Sequence, residues 1–333
     1  MYVINNFSNQ EYSKLTDIDI LIWLISLMSY KKLGYTTKLY CEEKDIQFLK
    51  DNCLLHYYDE VDTNTFAQNK ELSMINNKEF WFWRKIVAIE HEFNLGHEFF
   101  YSDTDVILME KPDFSNCDLY VWWLEDRDSK LWELNRTVYC DWHDISCPKD
   151  YDMPNYIRNT GRDNFNCGLL HFKNQMIFNF WKKEMLGFII NNPCILYNKD
   201  LYSSRAVFAC NTEQRFLKGI ANHLKLTVKA FDNAITSNGM TPTGVHFWYW
   251  RNAWKNMEEA FRNNEALLSS PQNIGIVQTL LVMSDFVEIW MDKFSDNGLL
   301  LEWVRSANKE YIFQLMELSK NLKFLLTNYN KKG

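Results

Sequence analysis

The chain has 333 residues, a formal net charge of -7, 47% hydrophobic and 24% charged residues. That length buries a substantial core, in one large domain or two small ones. With only 11 Gly and 6 Pro, beside 13 Trp, 17 Tyr and 23 Phe, collagen-like and low-complexity classes are excluded and long helices are expected.

The acidic balance argues against nucleic acid as the main partner, because phosphate binding needs a basic face. No apolar run approaches the roughly 18 residues of a spanning helix. The longest, Ile18 to Met28, is interrupted by Asp19 and Ser26. The first ten residues lack the basic and apolar regions of a secretory signal and read as a first strand. None of the eight Cys forms a Cys-x-x-Cys pair, so they read as reduced thiols, and a cytoplasmic location is expected.

Taken in chain order, Tyr2 to Ile4 is a β-rich run. A helix opens at Thr16, with Asp17 and Asp19 in its first turn, and stops at Gly34. Thr37 to Tyr40 reads as a strand, Asp45 to Asn52 as a helix and Leu54 to Tyr58 as another strand. A helix from about Glu79 to Asn94, ended by Gly96, feeds a strand over Glu98 to Ser102. This alternation predicts βαβ units and a mostly parallel sheet. Strands are also expected over Leu119 to Leu124 and Cys167 to Phe172, and helices over Gln175 to Ile190 and Thr212 to His223. Residues 125 to 165 are charged and irregular, and after about Pro271 the pattern is helical. The expected organisation is one α/β domain over 1–270 with a helical extension over 271–333.

The strongest local signal is Asp103-Thr104-Asp105, which follows an apolar strand and precedes Val106-Ile107-Leu108. On an extended chain, alternate side chains share a face, so two carboxylates meet at a strand end. Such a pair binds a hard divalent cation that also bridges a diphosphate. Asp-x-Asp also occurs at 17/19, 126/128 and 150/152, but at a helix start and in charged loops. The alternative for 103/105 is a turn with solvated carboxylates.

These features together resemble the GT-A fold glycosyltransferases: a βαβ start, Arg84-Lys85 on a helix, then an apolar strand with Asp-x-Asp near residue 100. Three further stretches are similar to the retaining, glycogenin-like and capsule- or mannosyltransferase-like branches. They are Asn166-Cys167-Gly168, Thr212-Glu213-Gln214 and Gly244-Val245-His246. The resemblance spans about residues 1 to 256 and implies a Rossmann-like α/β fold. It also implies that Asp103, Asp105 and His246 hold Mn²⁺ or Mg²⁺. The chain departs from the pattern in lacking the glycine of His-x-x-Gly-x-x-Lys, so the late phosphate-binding cation is Arg251 or Lys255. The acidic-Gln pair here begins with Glu.

Each residue carries a chemical reason as well as a structural alternative. Lys85 and Arg84 neutralise a diphosphate or are solvated helix cations. Asn166 bonds sugar hydroxyls or caps a strand end. Glu213 stabilises an oxocarbenium-like centre, orients the acceptor, or is a first-turn glutamate favoured by the helix dipole. Gln214 accompanies it. His246 is a ligand or a core histidine among aromatics. Trp81, Trp83, Trp122, Trp123, Trp248 and Trp250 are candidate sugar platforms. Zincin, phosphate-loop, dinucleotide and nucleophile-elbow motifs are all incomplete.

The expected activity is transfer of a sugar from a nucleotide sugar, a UDP-sugar for choice, to a hydroxyl of a glycan, polysaccharide or protein acceptor. Retention of configuration comes from the resemblance alone. The alternatives are a metal-dependent phosphoryl-transfer enzyme and an inactive GT-A-like interaction protein whose basic tail docks a partner or a membrane surface.

Overall fold

The computed structural model describes residues 1–8, 15, 17–75, 80, 82–125, 154–158, 164–191, 211–232, 240–241 and 244–246. In chain order the elements are β1 (Tyr2–Asn6), α1 (Asp17–Lys32), β2 (Thr36–Tyr40), α2 (Ile46–Asp51), β3 (Glu60–Asp62), α3 (Thr65–Gln68) and α4 (Lys70–Met74). Then come α5 (Trp83–Leu95), β4 (Phe99–Ser102), β5 (Val106–Leu108), β6 (Leu119–Glu125), α6 (Asn155–Arg158), β7 (Asn164–Phe172) and α7 (Gln175–Asn191). A π-helical turn (Asn211–Arg215), α8 (Phe216–Leu224), β8 (Val228–Asp232), β9 (Met240–Thr241) and β10 (Gly244–His246) complete the described chain. Helix opener Thr16 and the expected helical extension 271–333 lie outside the described residues, as do the two later Asp-x-Asp pairs.

Seven strands form one sheet in the order β3-β2-β1-β4-β7-β6-β8. All run parallel except β7, which is antiparallel to both β4 and β6. The result is an α/β fold with a mostly parallel sheet flanked by helices, compatible with a Rossmann-like layout. Strand direction leaves no mark in residue pattern, so the reversed β7 is not legible in sequence.

Alternation along the strands divides the core into two layers. Val3, Leu39, Phe100, Tyr120 and Trp122 pack with Trp23, Leu27 and Tyr30 of α1 on one face. Ile4, Tyr40, Tyr101, Leu119 and Val121 pack with α5, α7 and α8 on the other. Every one of these strand side chains is buried. Trp83 and Trp122 are fully enclosed here, so they are core and not sugar platforms. Side chains of the other four candidate tryptophans lie outside the described residues.

Right-handed crossovers explain the two layers. From β1 the chain moves through α1 to β2, one way along the sheet. From β3 it returns through α5 to β4 on the far side of β1. A fixed hand then requires α1 and α5 on opposite faces. The reversal places the switch in strand order between β1 and β4, and open α/β sheets take ligands at the carboxyl ends of strands at such a point.

The segment expected to be a strand, Leu54 to Tyr58, is instead a 3₁₀ turn over Leu54–Tyr57. Cys53 enters it with φ 58°, and Leu54, Tyr57 and Tyr58 all pack onto the α1 layer. Three apolar residues facing one helix in a short turn mimic a strand in composition. The strand begins only at Glu60, as a three-residue edge on β2. The two expected helix stops hold: Gly34 and Gly96 take φ of 76° and 72°, in the left-handed region that glycine enters without strain.

One buried ionic cluster is structural. Glu92 of α5 is fully enclosed; its Oε1 accepts from Lys38 Nζ at 2.7 Å and from the Tyr40 hydroxyl. Its Oε2 meets His97 Nδ1 at 2.7 Å. Burial alone raises a carboxyl, but these three partners outweigh it and hold Glu92 below its ordinary range. A depressed carboxyl stabilises the fold above its unfolded value, and that contribution is lost as pH falls through the folded one. Glu92→Gln is therefore expected to cost about 3 kcal/mol at neutral pH, because the buried Lys38 keeps only the longer, partly exposed pair with Glu60 at 3.7 Å. The gap in urea stability should narrow at pH 3; a gap constant with pH contradicts the assignment.

Candidate active site at the carboxyl edge of the sheet

β4 ends at Ser102, and the chain then turns. The Val106 amide donates to the Asp103 carbonyl at 3.3 Å, closing a turn over Asp103-Thr104-Asp105-Val106. The two aspartates therefore sit at a corner and not on the extended chain that alternation assumed. Asp103 keeps 31% of its side chain exposed, whereas Asp105 is 7% exposed as a residue. The corner is fastened from both sides. Below it, Ser26 and Tyr30 of α1 donate to the Val106 carbonyl at 2.5 and 2.7 Å. Alongside, the Asp103 amide donates to the Gly168 carbonyl of β7 at 2.7 Å.

After the corner, β5 pairs antiparallel with β10, and His246 stands opposite Val106. The backbone of the expected third ligand thus lies beside the residue that follows Asp105. The His246 side chain itself is outside the described residues, as are Arg251 and Lys255. Among the described side chains, no group of three His, Cys, Asp or Glu is close enough to ligate a metal. Two carboxylates at one corner, with an imidazole-bearing residue in register beside them, fit Mn²⁺ or Mg²⁺ in donor type and charge.

Arg84 and Lys85 open α5, whose N-terminus faces the same edge of the sheet. Cations there oppose the helix dipole, so each needs an anionic partner. The structure sends them apart. Arg84 reaches Glu42, just past β2, at 2.5 Å and lies over the Phe66 ring. Lys85 is buried and bridges Glu213 Oε1 at 2.7 Å and Asp103 Oδ1 at 3.2 Å. It also donates to the Cys167 carbonyl at 3.1 Å and lies 4.7 Å over the Tyr101 ring. It is not a solvated helix cation. Burial alone would lower this ammonium, but Asp103 and Glu213 reverse that and hold it above its ordinary value.

Glu213 lies in the π-helical turn before α8, an irregularity often found at functional sites. Its own carbonyl is held by Trp181 Nε1 at 3.1 Å. Burial pushes its carboxyl up, Lys85 pulls it back, and the net direction is upward. It is therefore a buried acid beside the acidic corner and not a solvated first-turn residue. Gln214 follows it and is half-buried.

Asn166 lies where the register of β7 on β6 shifts. Its Oδ1 accepts from the Gly168 amide at 2.9 Å, a local turn that an Asn two residues before a Gly forms readily. The irregularity turns the Cys167 and Gly168 carbonyls toward Lys85 and Asp103. The Asn-x-Gly stretch thus shapes the site through its backbone as well as through the buried Asn166.

Three residues, Tyr101, Asn5 and Asn6, escaped the sequence reading. Tyr101 Oη lies 3.0 Å from Asp103 Oδ1 and 2.6 Å from Asn6 Oδ1. Asn5 ties the ends of β1 and β4 together, donating from Nδ2 to the Ser102 carbonyl at 2.6 Å. Signals existed: Tyr101 shares a strand face with Asp103, and paired asparagines end an otherwise apolar first strand.

No protein-family profile matches the chain, and no curated protein matches it at a significant level.

Proposed function

We propose that the chain is a GT-A type glycosyltransferase, moving a sugar from a nucleotide sugar, a UDP-sugar for choice, to a hydroxyl of a glycan, polysaccharide or protein. The observation that carries this reading is the convergence on Asp103. Lys85 bridges it to Glu213, and β10 brings His246 into register beside the corner it shares with Asp105. Asp103, Asp105 and His246 would hold Mn²⁺ or Mg²⁺, which supplies charge neutralisation to the departing diphosphate.

The chain's own groups do the rest. Lys85 lies between Asp103 and Glu213 and holds the two carboxyl groups side by side. Glu213 faces the developing positive charge on the sugar, or orients the acceptor, as the bond from carbon 1 to the diphosphate breaks, the acceptor oxygen bonds to that carbon and its hydroxyl proton passes to the departing diphosphate oxygen. Asn166, with the carbonyls it exposes, borders the sugar. Arg251 or Lys255 adds positive charge at the diphosphate, while Arg84 braces Glu42 at the rim. Among the described residues no helix is long and apolar enough to cross a membrane.

A panel of nucleotide sugars with Mn²⁺, scored for free nucleoside diphosphate, tests the reading. One donor should be hydrolysed or transferred in preference to the rest. Release of orthophosphate without sugar transfer would favour phosphoryl-transfer chemistry, and an inert panel would contradict the assignment.

A further inference from the structure

We infer that Tyr101, with Asn6 behind it, is a positioning residue for the Asp103 carboxylate and sets the cation affinity of the corner. The inference rests on the cation-binding reading above. It starts from a hydrogen count. Tyr101 has one phenolic hydrogen, yet its oxygen faces two acceptor oxygens, Asn6 Oδ1 at 2.6 Å and Asp103 Oδ1 at 3.0 Å. An ionised carboxylate has no hydrogen to offer, whereas an amide carries both an acceptor and a donor. Oxygen and nitrogen of an amide are assigned from the network around them. Turning the Asn6 amide presents Nδ2 to Tyr101 Oη, and the phenolic hydrogen then goes to Asp103. The chain Asn6 to Tyr101 to Asp103 is then satisfied at every step.

The geometry gives this chain a purpose. Lys85 and Tyr101 reach the same oxygen of Asp103, Oδ1. Two donors on one oxygen fix the rotation of the carboxylate and hence the direction of Oδ2. The Tyr101 ring also carries the Lys85 ammonium, 4.7 Å above its centre. Tyr101 and Asn6 are both buried, and their positions follow from neighbouring parallel strands in register. Such outer partners of a ligating carboxylate typically change metal affinity by about 10- to 100-fold when removed.

The test measures Mn²⁺ affinity of the full chain without nucleotide, from the electron paramagnetic resonance of the free ion. Tyr101→Phe keeps the ring under Lys85 and removes only the hydroxyl. It should weaken Mn²⁺ binding about tenfold, and Asn6→Ala about threefold, each in protein whose circular dichroism matches the wild type. Asp103→Asn should lose binding almost entirely. A purely structural role would lower the urea midpoint of Tyr101→Phe and leave its Mn²⁺ affinity unchanged. Wild-type affinity in Tyr101→Phe, or in Asn6→Ala should the first variant not fold, overturns the inference while loss in Asp103→Asn keeps the site. Absence of Mn²⁺ binding in the wild type, or its survival in Asp103→Asn, overturns the site reading and this inference together.

Discussion

Asp105→Asn is expected to lower turnover of the preferred nucleotide sugar about 10³-fold. A bound dication stabilises a departing diphosphate by several kcal/mol, and about 4 kcal/mol corresponds to that factor. Asp103 is a partner of Lys85, so neutralising it disturbs a buried ion pair. Lys85 makes its contacts to Asp103, Glu213, Cys167 and Tyr101, and none to Asp105. Asn keeps the size of Asp and removes one charge at the corner. Initial rates with saturating donor, over a Mn²⁺ series, check the prediction. A variant restored to full turnover by raised Mn²⁺ has lost affinity only; one with unchanged turnover at low Mn²⁺ contradicts the role.

Lys85→Met is expected to cost about 3–5 kcal/mol, because it leaves Glu213 buried without a counter-charge. The pH dependence separates this from a packing loss. The Glu213 carboxyl already stands above its ordinary value, and without Lys85 it moves higher. A carboxyl raised in the folded state stabilises the fold below its unfolded value, near 4.3, and that contribution is lost as pH rises through the folded one. The deficit of Lys85→Met should therefore grow from pH 5 to pH 8 in urea titrations. Lys85→Met combined with Glu213→Gln removes both charges and should recover part of the loss. A deficit independent of pH, or a double variant as unstable as the sum of the singles, contradicts the coupling.

Much of this was legible in sequence where a residue's chemistry and its place in a period agreed. The glycine stops at 34 and 96, the apolar strand before Asp103 and the helix carrying Lys85 all carry local signals, and the structure has them. The burial of Lys85 was not legible, since its partner Glu213 lies 128 positions away. Neither was the turn at 103–106, because an Asp-x-Asp sequence suits both a strand and a corner. Leu54–Tyr57 misled for the opposite reason: its composition is that of a strand, but packing against α1 decides its shape. The divergence of Arg84 from Lys85 follows from helix geometry, as adjacent residues point about 100° apart.

Binding of UDP to the wild-type chain, measured by calorimetry with Mn²⁺ and again with excess chelator, tests the central claim most directly. Binding that requires Mn²⁺ and disappears in Asp105→Asn is the predicted result. UDP affinity indifferent to the chelator, or no UDP binding at any Mn²⁺ concentration, would contradict it.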